Sequence, residues 1–293
     1  MKTLREVLAD VEARHVAIGH FNISDLAALK AIFAAAHELQ LPVLIGVSEG
    51  EREFIGVRQA AALIKSYRDT YDYPIFLNAD HTHSLDKVKE AAEAGFDEII
   101  FDNSSLPMEQ NIANTLAAVG VIRAINPEIV IEGEIGYIGS SSEIIDTRPE
   151  ESLTMSTPEE AARFVRETGI DVLAPAVGNM HGLLKSMVSG QTHKTLDIKR
   201  IADIKTAIAT VGGKFMTLHG GSGTDNADFT AAARAGMTII HVSSELRLAW
   251  RRGVEEGLKD PNEIAPYKIV APSVANIQKI VTDRLKLFNG LVV

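Results

Sequence analysis

Histidine binds divalent metals and moves protons near neutral pH, and its nine copies are unevenly placed along this chain. Four of them, His81, His181, His219 and His241, stand at or just after the ends of short apolar runs. Asn22, Ser48, Asp80, Asp102, Glu132, Glu134 and Asn179 occupy comparable places. Three neutral imidazoles converging on one rim make a zinc site with an open fourth position. Asp80 directly precedes His81. It is placed either to orient a metal-bound imidazole or to work as acid and base beside the metal, and spacing leaves both open. In HGGSG, His219–Gly223, two glycines let backbone N–H groups approach a ligand and Ser222 adds a hydroxyl, which together suit an anion. Ser243 and Ser244 stand where they would cap a helix over Glu245–Gly253. A metal beside a phosphate grip suggests a phosphorylated carbonyl substrate, because a Lewis acid polarises the carbonyl and stabilises an enediolate. Aldol cleavage, epimerisation and isomerisation all use this chemistry.

These residues need a scaffold that presents strand ends on one rim. Eight strand-like runs recur: Val16–Asn22, Pro42–Ser48, Pro74–Asp80, Asp97–Asp102, Ile129–Glu134, Asp171–Val177, Lys214–His219 and Met237–Val242. Helical sequence separates them. Asp25–Leu39 opens on an acidic cap, Ser84–Ala94 runs from serine to Gly95, and Thr157–Thr168 has a threonine cap, proline in its first turn and Gly169 after its end. Alternation of this kind predicts a closed (β/α)8 TIM barrel, a single catalytic domain over residues 1–293. The alternative is an open doubly wound sheet, but the glycine fingerprint of its dinucleotide-binding form is missing after the first run. Extra residues fall after strands five and six, at roughly 135–156 and 182–200, where long loops serve as lids or oligomer contacts.

Composition narrows the partners. Against 39 acidic residues stand 29 basic ones, a net charge of −10, and no run of Lys or Arg exceeds two, so a nucleic-acid partner is not expected. With no cysteine, disulfides, thiolate metal sites and cysteine nucleophiles are excluded. Neither a membrane span nor a signal-peptide core is evident, which predicts a cytoplasmic protein without membrane contact.

Taken together, the segments DHTHS (Asp80–Ser84), GNMHG (Gly178–Gly182) and LHGGSG (Leu218–Gly223) resemble the metal-binding segments of class II, zinc-dependent ketose-bisphosphate aldolases. FDNSSLPMEQNI (Phe101–Ile112), IEGEIGYIG (Ile131–Gly139), FNISDL at Phe21, SEG at Ser48 and SELR (Ser244–Arg247) extend the resemblance, in order, from about residue 3 to 290. It implies that His81, His181 and His219 hold zinc and that Asp80 exchanges a proton with the C4 hydroxyl of a phosphorylated ketose. Cleavage would release dihydroxyacetone phosphate and an aldehyde, with fructose 1,6-bisphosphate the default substrate and tagatose 1,6-bisphosphate its neighbour. Asp102 and Glu134 match positions that hold a second, peripheral metal in some members. Ser48, Gly182, Gly220, Gly221, Ser222, Ser243 and Ser244 would contact substrate, with a monovalent cation (K+ or Na+) near the phosphate. Glu143 is the nearest counterpart of a loop glutamate that protonates carbon. A homodimer or homotetramer is implied too, with Leu183–Asp197 and the C-terminal segment as candidate contacts.

The chain departs from the family pattern at three points. Thr82 stands where glycine is usual, Glu143 lies one residue late with Ser142 at the expected place, and His241 replaces a substrate-binding asparagine. An imidazole there changes the pocket and suits a non-standard ketose phosphate, or it joins the metal shell. A zinc-dependent sugar-phosphate isomerase or epimerase and a binding-only barrel remain as other readings. Plainer expectations attach to the remaining residues. His83 is a loop or cap residue, His193 and Lys194 lie on the surface, Arg247 either reaches the phosphate or pairs with Glu245 or Asp225, and Trp250 packs on the last barrel helix.

Overall fold

A computed structural model describes residues 2–139, 143–147, 154–213 and 215–292. Helix α1 (Leu4–Ala13) comes first, followed by β1 (Ile18–Asn22), α2 (Leu26–Leu39), β2 (Val43–Val47), α3 (Glu49–Ile55), α4 (Val57–Tyr71) and β3 (Ile75–Thr82). Then come α5 (Leu85–Ala94), β4 (Glu98–Phe101), α6 (Met108–Ile125), β5 (Val130–Ile135), β6 (Ile144–Ile145), α7 (Pro158–Thr168) and β7 (Val172–Pro175). The chain continues through β8 (Leu183–Leu184), α8 (Lys185–Val188), α9 (Ile198–Ala209), β9 (Phe215–Leu218) and α10 (Asn226–Ala235). It ends with β10 (Ile239–Val242), α11 (Ser244–Gly257), α12 (Pro266–Ile269) and α13 (Ala271–Phe288).

All eight expected strands form, and they close in the order β1-β10-β9-β7-β5-β4-β3-β2, every pair parallel. Closure excludes the open doubly wound sheet. Local chemistry sets the helix ends as the sequence suggests. Asp25 accepts the Ala28 N–H, Ser84 accepts that of Lys87, Thr157 and Glu160 form a capping box, and Gly95 and Gly169 end their helices with positive φ. The run Ala31–Ala36 faces the barrel wall, with Ala31, Ala35 and Ala36 fully buried. The two long loops meet each other: β6 and β8 pair in parallel, Ile144 against Leu183 and Ile145 against Leu184.

The barrel interior has two zones. At its N-terminal end, Leu4, Val7, Leu8 and Val11 of α1 plug the opening against Ile18, Leu44, Phe76, Val130, Val172, Phe215 and Ile239 from the strands. Above that dry layer the inward positions turn polar, with His20, Asn78, Glu98, Glu132 and Thr217 all fully buried. Burying such groups is costly unless they pair. Asn78 accordingly donates to Glu98 at 2.6 Å, and Glu132 lies 2.6 Å from His219.

Candidate active site

The polar zone opens at the C-terminal ends of the strands into a cavity of about 520 Å³. Its lining includes Asn22, Ser48, Asp80, His81, Asp102, His181, Gly182, Gly220, Ser222, His241, Ser243 and Ser244, so most residues singled out from sequence meet here. Gly221 lies just behind the lining, where a Cβ would sit 2.6 Å from the His241 carbonyl. Glu143 is different: its side chain is exposed outside the cavity wall, while its carbonyl accepts the Leu183 N–H. Ser142 lies outside the described residues.

Asp80 and His81 are consecutive, yet strand alternation would send them to opposite faces. The register of β3 against β4 shifts between Ala79 and Thr82, and His81 has φ 41°. This bulge in the left-handed region turns the imidazole back toward the mouth. Buried Arg52 anchors the bulge, donating to the carbonyls of Val47 and Asp80 and to the Thr82 hydroxyl at 2.6, 3.2 and 3.0 Å. Thr82, where the family has glycine, is therefore a hydrogen-bonded part of the turn. Sequence reading did not single out Arg52, because an arginine on a surface-type helix gives no sign of being buried.

Each histidine has its own electrostatic setting. His81 Nδ1 lies 2.8 Å from Asp102, and although burial opposes its charge, Asp80 and Asp102 push its pKa up to about 9. His219 is bracketed, with Nδ1 2.7 Å from Glu134 and Nε2 2.6 Å from Glu132. Against the effect of burial, these two carboxylates hold it well above the usual histidine value. Burial, reinforced by His81, His219 and Lys194, keeps His181 well below it and so neutral. Asp102 and Glu134 thus lie against ring nitrogens of His81 and His219. Asp80 accepts from the Asn22 amide at 2.8 Å through Oδ2, while buried Oδ1 makes no hydrogen bond among the described residues and faces His81 Nε2 at 3.7 Å and His241 Nδ1 at 3.9 Å. Burial would raise its pKa, but His81, His20 and His219 together keep it below the ordinary carboxylate range.

His241 stacks on His20, ring centroids 3.5 Å apart and planes within 8°. A metal lies in the plane of an imidazole that binds it, so two rings stacked in this way do not share one. Ser243 and Ser244 cap α11 less directly than expected. The hydroxyl that accepts the N–H groups of Ser243 and Glu245, each at 3.2 Å, belongs to Ser222, and buried Ser243 Oγ makes no hydrogen bond among the described residues. Arg247 pairs with Glu51 at 2.7 Å, while Glu245 pairs with Arg284. Trp250 donates to Asp25 at 2.8 Å, and exposed His83 places Nδ1 2.9 Å from the Asp102 carbonyl. His193 is exposed as expected, whereas Lys194 is buried, a correction to its surface assignment.

A sequence profile of fructose-bisphosphate aldolase class-II matches residues 2–290. The chain belongs to the class-II fructose-bisphosphate aldolase family. It is 32% identical to the fructose-bisphosphate aldolase of Geobacillus stearothermophilus over 98% of this chain and 96% of that protein. The Staphylococcus aureus (strain Mu50) fructose-bisphosphate aldolase is 30% identical over 98% and 96% respectively. Among solved structures, the YdjI aldolase of Escherichia coli K12 superposes with a TM-score of 0.81 at 25% identity, covering 97% of this chain and 96% of that one. The Campylobacter jejuni fructose-bisphosphate aldolase shares the fold, with a TM-score of 0.80 at 19% identity over 98% and 94%.

Family membership implies a metal, and the aldolase site fits one. His81, Glu134, His181 and His219 each offer a ligand atom, and these atoms all lie within 4.8 Å of one another. Imidazole and carboxylate donors suit a divalent ion. Asp102 lies 2.8 Å from His81 and Glu132 2.6 Å from His219, where each would orient its imidazole toward a bound ion.

Proposed function

We propose that the protein is a divalent-metal-dependent aldolase that reversibly cleaves a phosphorylated ketose, fructose 1,6-bisphosphate by default, to dihydroxyacetone phosphate and an aldehyde. The observation that carries this reading is the Asp80 carboxylate: ionised, fixed through one oxygen by Asn22, and presenting the other beside the three-histidine cluster. A binding site alone has no need of a carboxylate oxygen left without a hydrogen bond beside those imidazoles.

His81, His181 and His219 would hold the ion, taken as zinc, with Asp102 and Glu134 within reach of its surroundings. When bound, the metal supplies Lewis-acid polarisation of the ketose carbonyl. Asp80 Oδ1 accepts the proton of the hydroxyl on the carbon beyond the scissile bond. As that bond breaks, the hydroxyl carbon becomes the aldehyde carbonyl and the electron pair stays on the three-carbon unit. In condensation Asp80 returns the same proton. Glu143 is assigned the proton delivered to carbon, a role that rests on family resemblance and not on contact with the cavity.

Gly182, Gly220 and Ser222 line the phosphate end, and the buried Ser243 hydroxyl at the start of α11 adds a donor where the helix N-terminus favours an anion. Ser48 and Ser244 line the same cavity. His241, in place of the family asparagine, faces the sugar hydroxyls and favours a ketose other than the default, with tagatose 1,6-bisphosphate next in line. We take the chain as one catalytic domain of a cytoplasmic homodimer or homotetramer, assembled through residues 183–197 and the C-terminal segment.

The test is dihydroxyacetone phosphate release from fructose 1,6-bisphosphate by metal-loaded protein, with EDTA-treated and Asp80→Ala samples alongside. EDTA should abolish turnover, and Asp80→Ala should lower kcat by roughly 10²–10⁴-fold with unchanged metal content. Metal binding without turnover of any ketose phosphate would overturn the reading.

A further inference from the structure

The segment before α9 carries a lysine whose surroundings are unlike those of a surface residue. The Lys194 backbone is fixed on both sides: its N–H donates to the Gly223 carbonyl at 2.8 Å, and its carbonyl accepts the Asp225 N–H at 3.1 Å. The residue is 4% exposed. Its Nζ lies 2.7 Å from the Met180 carbonyl, 2.9 Å from that of Gly182 and 2.9 Å from that of Gly220. An ammonium has three N–H donors, and three carbonyl oxygens lie within hydrogen-bond distance of this one. Neutral carbonyls arranged around a desolvated cation replace its water shell, which is how protein backbone binds monovalent ions.

The three carbonyls come from two loops, the one that carries His181 and the one that follows His219. These loops touch at the cage, since a Cβ on Gly220 (φ 59°) would fall 2.3 Å from the Met180 oxygen. Gly182 and Gly220 also line the cavity, where the proposed function places the substrate phosphate. The cation therefore sits directly behind the anion site. Held behind the cavity lining by these carbonyls, it acts on a ligand by charge at short range.

We propose that Lys194 is a built-in monovalent cation, its ammonium supplying beside the substrate phosphate the charge that the family resemblance assigns to an exchangeable K+ or Na+. This inference rests on the reading of Gly182, Gly220 and Ser222 as the phosphate end. Lys194 also ties the His181 and His219 loops together, which makes it a positioning residue for both.

The experiment compares metal-loaded wild-type protein with Lys194→Ala and Lys194→Gln in tetramethylammonium buffer. KCl, NaCl or NH4Cl is then added at constant ionic strength. Inorganic phosphate affinity by calorimetry and the thermal midpoint are read first, because neither needs turnover, and kcat/KM follows. The wild type should change less than twofold with any of the three ions. Lys194→Ala should bind phosphate at least tenfold more weakly, and tens of millimolar ammonium or potassium should restore most of the loss and raise its thermal midpoint.

A wild type stimulated several-fold by K+ or Na+ would overturn the proposal, and that arm needs no variant. So would a folded Lys194→Ala that binds phosphate normally. If Lys194→Ala does not fold, Lys194→Gln, whose amide can still donate to two of the carbonyls, carries the phosphate measurement with the same expected loss. Weakened, ion-rescued phosphate binding in a protein that cleaves no ketose would sink the aldolase reading and leave this one standing.

Discussion

His241 lines the cavity, and fully buried His20 stacks against it from the barrel interior. Burial drives His20 down to about 4 and His241 well below its ordinary value, so the stacked rings are neutral at physiological pH. A neutral imidazole offers one donor and one acceptor in a fixed plane, whereas an asparagine amide offers both from a shorter, rotatable arm. A site built to hydrogen-bond a hydroxyl rejects a substrate that misplaces it. His241→Asn should therefore change the ratio of kcat/KM for fructose and tagatose 1,6-bisphosphates by at least about tenfold. Metal content, read by elemental analysis, should stay unchanged, and an unaltered ratio would remove His241 from specificity. The substitution itself is visible in the sequence. The stack is not, because His20 sits in an apolar strand and gives no sign that it faces the same interior.

At the scale of elements, β1 and β2 are matched through a missing side chain. The His20 ring fills the space above Gly46, where an added Cβ would fall 2.1 Å from its Cε1. Gly46→Ala should thus destabilise the protein by about 1–3 kcal/mol through overpacking. The cost should largely vanish in a His20→Ala background, a coupling that denaturant titration of the four proteins measures. Strand and helix positions were legible because apolar runs, caps and terminal glycines are local signals. The β3 bulge, the pairing of β6 with β8 and the burial of Lys194 were not. Each depends on segments far apart in sequence: Thr82 needs Arg52, Ile144 needs Leu183, and Lys194 needs the carbonyls of Met180, Gly182 and Gly220.

At the scale of the whole molecule, the closed barrel is held at its N-terminal end by α1 and by Asp171. Asp171 accepts from Arg5 at 2.7 Å, Arg123 at 2.5 Å and the Ile131 N–H at 2.9 Å. Burial raises its pKa, but the two guanidiniums outweigh that and hold it below the ordinary value. A lowered folded-state pKa stabilises the protein above the unfolded value, about 3.9, and the contribution is lost as pH falls through the folded one. Asp171→Asn should therefore cost about 1–3 kcal/mol at neutral pH, with the gap in thermal midpoint from wild type closing below about pH 4. A gap constant with pH would show that the charge is not what matters. The sequence by itself determined the barrel, the rim that gathers the candidate site, and three histidines with an adjacent aspartate, because strand-end position is a one-dimensional property. Only the tertiary structure decided which carboxylate holds which imidazole, that Glu143 stands outside the cavity, and that a loop lysine is enclosed by three carbonyls. Those outcomes depend on distances between chain segments, which barrel closure alone fixes.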